Sequence, residues 1–200
     1  MRSAAAGFRV HSGWSAVVVA ALEKGELVVL RRARVRLVKT FSYTFRQPYH
    51  TAEKMEADEA VDFVLGMRTE AEDLAYGWLQ SMQIELKELE WKLQRGALLL
   101  ASGRALPEFA KILRSHALIH TADGELFREA IRGACQRGGV KLASIKDRDL
   151  LERCEKVFSM QRAELLRRVT EMGRELGAPW TQDEKFATLA AWLALRTRAV

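Results

Sequence analysis

A chain of 200 residues, 48% of them apolar, is long enough to bury one sizeable core, and residues 1–200 are read as a single domain. Two cysteines, Cys135 and Cys154, exclude a disulfide framework or a cysteine metal site, and the apolar run "WSAVVVAAL" is too short to cross a bilayer and lacks the features of a leader, so a cytoplasmic protein with no membrane partner is expected. The net charge of +6 is concentrated at one end, because residues 1–50 hold nine Lys or Arg against two Glu and the rest of the chain carries −1.

Phe8 to Leu22 is rich in Val and Ala, Glu23-Lys24-Gly25-Glu26 supplies a short turn, and Leu27 to Val38 is a second β-favouring run, a spacing that predicts a hairpin. In its second arm Arg32, Arg34 and Arg36 alternate with Ala33, Val35 and Leu37, which sets the guanidinium groups on one strand face. That stripe reads either as a phosphate-tracking surface or as the solvated face of a half-buried strand. Thr40 to Phe45 predicts a third strand, and Pro48 ends the sheet pairing.

Glu56 to Leu65 predicts a short helix that stops near Gly66. Thr69 and Glu72 predict a capping box for a longer one, Thr69 to Gln94, with Ala75, Leu79, Met82, Leu86, Leu89 and Leu93 on one face and Gly96 as its end. The wholly apolar "ALLLAS" suits a buried parallel strand. Pro107 opens a helix to Leu113, Gly124 to Arg137 is the next, and Val140 to Ile145 another short strand. Asp149 to Phe158, Ala163 to Leu176 and Gln182 to Arg196 close the chain as helices. The order implies an α/β fold: a three-strand antiparallel meander plus two parallel strands in one mixed sheet, helices on both faces, and an extra C-terminal helical layer.

This order resembles the ribonuclease H-like fold, and the second half resembles Holliday-junction resolvases of the RuvC type. In "GELFREAIRGACQRGGVKLASI" a helix ends in glycine before a strand opens, and "TQDEKFATLAAWLAL" begins with acids and continues in small apolar residues, as the last helix does there. The resemblance implies a carboxylate cluster holding two divalent metals for phosphodiester cleavage. Where it places the first acid, "VHSGW" has His11 or Ser12; where it places the second, the chain has Ser102; only Asp183 and Glu184 match the acids of the last helix. Hard Mg²⁺ prefers oxygen ligands, so a non-standard centre is expected.

"HSGW", "RQPYH", "ASGR" and the start of the helix at Gly124 are expected to converge near one edge of the sheet, and all four histidines lie beside these junctions. The expected catalytic residues are His11, His116, His120, Glu125 and Asp183; the expected binding residues are Ser12, Tyr49, His50, Ser102, Arg104, Arg32, Arg34 and Arg36. His116 and His120 share a face if their segment is helical, and with Glu125 they offer ligands to a divalent metal. The alternative is a pair of satisfied buried histidines, with Thr121 or Asp123 as a helix N-cap and Glu125 in the first turn. Trp14, Tyr43, Phe45 and Tyr49 read as base-stacking groups or as core. The leading functional reading is a nucleic-acid-binding or nucleic-acid-processing protein; the alternatives are an enzyme acting on a small phosphorylated or carboxylated ligand through the His/Glu cluster, and an assembly protein using the long helix.

Overall fold

The computed structural model describes residues 1–101 and 105–196. Five strands, β1 (Arg2–His11), β2 (Trp14–Glu23), β3 (Glu26–Arg36), β4 (Trp91–Leu100) and β5 (Lys141–Lys146), form one sheet in the order β3-β2-β1-β4-β5. The first three make an antiparallel meander; β4 runs parallel to β1 and β5 parallel to β4. The described helices are α1 (Tyr43–Arg46), α2 (Pro48–Ala52), α3 (Ala57–Glu88), α4 (Phe109–Leu113), α5 (His116–Arg137), α6 (Leu150–Phe158), α7 (Arg162–Leu176) and α8 (Gln182–Arg196).

The meander is present with different boundaries from those the sequence predicts. The Val- and Ala-rich run is two strands folded at Ser12-Gly13, where Gly13 adopts φ +82°. Lys24 and Gly25, both at positive φ, make the two-residue turn from β2 to β3. Thr40 to Phe45 is no strand. Leu37 and Val38 turn inward and are buried, which takes the chain off the sheet edge and into α1.

The middle stretches of β1 and β2, Ala4 to Phe8 and Ala16 to Leu22, are wholly apolar because the sheet is covered on both sides. On one side Phe8, Val17, Val19 and Leu98 pack with α3 and α5; on the other Ala5, Ala97, Leu99 and Ile145 pack with α6, α7 and α8. Strand alternation then fixes β1: Ala4, Ala6 and Phe8 face α3 and α5, whereas Ala5, Gly7, Arg9 and His11 share the face toward α8. At Gly7 the helix comes so close that a Cβ would lie 1.8 Å from the Ala187 carbonyl oxygen. Glycine is required there by the approach of two backbones.

Three further boundaries move. α3 is one helix of 32 residues that runs straight through Gly66. Its buried stripe, Ala60, Val64, Met67, Ala71, Ala75, Leu79, Met82 and Leu86, keeps steps of three and four across the glycine, so packing overrides the local weakness. Thr69 is mid-helix, its hydroxyl donating to the Leu65 carbonyl at 3.1 Å instead of capping. The helix stops at Glu88 and β4 already begins at Trp91, so Leu93 and Gly96 belong to a strand. α5 begins at His116, which makes Thr121 and Asp123 helix-interior residues and not N-caps. No helix among the described residues is long and apolar enough to cross a membrane.

Candidate functional site

β1, β3, β4 and β5 all end at the same edge of the sheet. The Ser12-Gly13 turn, α1 and α2, the start of α5, Asp147 after β5 and the first turn of α8 collect there. Crevices at the C-terminal ends of parallel strands are the usual ligand sites of open α/β sheets. Two separate clusters of polar side chains lie along this edge.

The first joins β1 to α8. Because Arg9 and His11 are two apart on one strand, both reach the same carboxylate: Asp183 Oδ1 lies 3.0 Å from an Arg9 terminal nitrogen and 2.9 Å from His11 Nε2. The other Arg9 nitrogen donates to Asp147 Oδ2 at 3.3 Å. The His11 ring stacks on Trp14 with centroids 4.5 Å apart, and the Arg34 guanidinium lies 5.0 Å over the opposite partner of that stack. The neighbouring acid, Glu184, is turned inward. Thr181 and Glu184 form the capping box of α8: the Thr181 amide and hydroxyl donate to Glu184 Oε2 at 2.7 and 2.6 Å, and Arg34 Nε donates to Oε1 at 3.2 Å. Burial alone would raise the Glu184 carboxyl, but these hydrogen bonds outweigh it and hold the group below its ordinary value.

The second cluster joins α2 to the start of α5. A spacing of four puts His116 and His120 on one helix face, with ring centroids 4.4 Å apart, and His50 packs edge-on against both at 5.3 and 4.4 Å. One ligand-capable nitrogen from each ring lies within 4.8 Å of the others. His50 is buried, while His116 and His120 are exposed. Behind them Asp123, 3% exposed, is hydrogen-bonded through Oδ2 to His50 Nδ1, and its Oδ1 accepts the Tyr49 amide at 2.7 Å. Burial pushes the Asp123 carboxyl above its ordinary value, opposed by the hydrogen bonds from His50 and Tyr49. This cluster offers a borderline divalent metal three nitrogens and an orienting carboxylate.

The expected residues therefore divide. His50, His116 and His120 meet; His11 and Asp183 meet elsewhere. Glu125 belongs to neither cluster: it pairs with Arg128 at 3.3 Å and Arg132 at 3.7 Å, and lines a cavity of about 280 Å³ with Tyr49, Arg68, Phe109 and Glu129. Ser12 contributes its carbonyl, which accepts from Arg46 Nε at 3.2 Å. Arg32 donates to four carbonyl oxygens in the α7–α8 connection, those of Leu176, Gly177, Ala178 and Pro179, at 2.7 to 3.0 Å, and Arg34 is held by Glu184, so two guanidinium groups of the stripe are engaged within the molecule. Arg36 is exposed beside Phe41, its guanidinium 6.0 Å from the ring centroid. Arg46 lies over the same ring at 4.5 Å. Ser102 and Arg104 lie outside the described residues.

Sequence reasoning missed Arg9, Phe41 and, above all, Asp123. The signal for Asp123 was present, since 116, 120 and 123 are spaced by four and three, the interval that lines up one helix face. Placing the helix start at Gly124 concealed it.

No protein-family model matches the chain, and no curated protein sequence matches it. Among solved structures, RuvC of T. thermophilus in complex with a Holliday junction substrate is similar over 95% of this chain and 91% of that one, with a TM-score of 0.55 and 12% identity. A second structure, described as Thermus thermophilus RuvC, is similar over 95% and 92%, with a TM-score of 0.53 and 12% identity. At that identity the likeness speaks to architecture, and it coincides with the observed strand order, the mixed pairing and the helices on both faces. The chain has a ribonuclease H-like fold, in the arrangement that RuvC also adopts.

Proposed function

We propose that this is a nucleic-acid-binding or nucleic-acid-processing protein in which the ribonuclease H-like fold carries a non-standard centre. The observation that carries the reading is the likeness over 95% of the chain to a resolvase whose structure holds a Holliday junction substrate. The non-standard centre is supported by what surrounds Asp183. Two divalent cations need several oxygen donors, and here the Arg9 guanidinium, itself a cation, already bridges Asp183 and Asp147 while His11 takes the same Asp183 oxygen. Asp147 Oδ1 is a buried oxygen with no hydrogen-bond partner among the described residues. One such oxygen is short of the donor set that a pair of hard metals requires, so these residues do not fit the two-metal centre.

The surface best suited to nucleic acid is the patch after β3. Phe41 and Tyr43 are 46% and 61% exposed, and Arg36 and Arg46 flank Phe41. Exposed rings between guanidinium groups can stack on bases while the charges meet phosphates. Tyr43 also connects the patch to the histidines, its ring centroid 6.4 Å from that of His50. The reading is tested by filter binding to single-stranded, duplex and branched DNA and RNA at low and moderate salt. Binding that weakens with salt is expected, with Arg36→Ala reducing the dependence on log salt by about one charge equivalent and Phe41→Ala lowering affinity for single strands. Absence of binding to every substrate at low salt contradicts the reading.

A further inference from the structure

We propose that His50, His116 and His120 form a mononuclear site for a borderline divalent transition metal, of which Zn²⁺ is the best fit, with Asp123 as the positioning residue behind it and one coordination position open. The geometry is specific. Two ligands come from successive turns of one rigid helix and the third from a short helix whose place is fixed by the Tyr49 amide on Asp123. Zn–N bonds of about 2.0–2.1 Å set tetrahedral nitrogens roughly 3.4 Å apart. Three nitrogens already within 4.8 Å of one another need small side-chain rotations to reach that spacing, and His116 and His120 are exposed.

The contact to Asp123 distinguishes this cluster from aromatic packing. A metal-binding histidine ordinarily donates its second ring nitrogen to a carboxylate, which fixes the tautomer and aims the other nitrogen at the ion. Here Asp123 takes His50 Nδ1, leaving Nε2 for the metal. A buried carboxylate in a helix interior is costly without a specific role, and among the described residues its hydrogen bonds come from α2. The donor set excludes the hard ions. Among the described residues the cluster holds three histidines and no carboxylate ligand, and both cysteines are buried elsewhere, Cys135 near the C-terminal end of α5 and Cys154 on α6.

Three histidines without a fourth protein ligand among the described residues make an open site. The exposure of His116 and His120 sets the open position toward solvent, where it takes water or an anionic oxygen. The proposal goes beyond the nucleic-acid reading and stands on separate observations. It also moves the metal away from Asp183, to the other cluster at the same edge of the sheet.

The test uses the untagged full chain, stripped with chelator and then dialysed against Zn²⁺ or Co²⁺ alone. One metal per chain by elemental analysis is expected and, with Co²⁺, the visible absorption of a four-coordinate ion. His116→Ala and His120→Ala, at exposed positions, should lose the metal with unchanged circular dichroism, while His11→Ala keeps it. Asp123→Asn should weaken affinity by about 10- to 100-fold and alter the Co²⁺ spectrum. A wild-type chain that retains no metal overturns the proposal, as does a full equivalent surviving in the His116→Ala/His120→Ala double variant or lost in His11→Ala. Nucleic-acid binding by a chain that holds no metal would overturn this inference and leave the function standing; metal uptake with no nucleic-acid binding would do the reverse.

Discussion

At the scale of single residues, the two clusters differ in what they contribute to stability. His50 satisfies a buried carboxylate, whereas His116 and His120 lie at the surface. In metal-free protein, His50→Ala should therefore cost about 1–3 kcal/mol by leaving Asp123 short of a partner, and His116→Ala or His120→Ala should stay within about 0.5 kcal/mol. Urea denaturation of the three variants checks the contrast. Glu184 sets a pH dependence. Its folded-state carboxyl lies below the ordinary 4.5, so its contribution is present above that pH and is lost as pH falls through the lower, folded value. Glu184→Gln should flatten the acid limb of the stability profile, measured as urea midpoints between pH 7 and pH 3; an unchanged limb would show that Glu184 does not control it. The buried thiols are a further residue-scale consequence. Burial pushes Cys135 and Cys154 up to about 12, which keeps both as unreactive thiols in the folded chain.

At the scale of elements, the sequence made visible what is periodic and concealed what depends on tertiary packing. The terminal helices α6, α7 and α8 and the short strand β5 lie within a residue or two of their predicted bounds, because their apolar spacing and flanking glycines are local signals. α3 was divided at Gly66 because a glycine weighs heavily in local propensity, yet the stripe from Ala60 to Leu86 holds the helix together. The start of α5 was placed at Gly124, with the preceding histidine segment helical only as a condition, because its polar residues lack the apolar periodicity that marks the rest. With it went the neighbourhood of Asp123, so the histidines were legible, His50 among the expected binding residues, and the carboxylate behind them was not. Two glycines test this account. At Gly66 an added Cβ meets nothing within 4 Å, so Gly66→Ala should stabilise the fold by about 0.5–1 kcal/mol. Gly7→Ala meets the Ala187 carbonyl and should destabilise by about 1–3 kcal/mol or more, by forcing α8 off the sheet. Thermal unfolding of both variants reads the opposite signs directly.

At the scale of the whole molecule, one edge of the sheet gathers the Arg9–Asp183–His11 cluster, the three histidines, and the exposed aromatics beside Arg36 and Arg46. The fold supplies that edge, and under the proposed function its side chains serve a centre other than the two-metal one. The basic excess of residues 1–50 is divided between architecture and surface. Arg9, Arg32 and Arg34 tie β1 and β3 to α8 and its preceding loop, while Arg36 remains exposed. The claim that metal chemistry has moved from the β1–α8 junction to the α2–α5 junction is tested most directly by anomalous diffraction at the zinc edge, from crystals of the chelator-stripped chain grown with Zn²⁺. One anomalous peak is predicted among His50, His116 and His120, within about 2.0–2.1 Å of a nitrogen of each, and none beside Asp183. A peak held by Asp183 and Asp147, or no peak at the histidines, would contradict it.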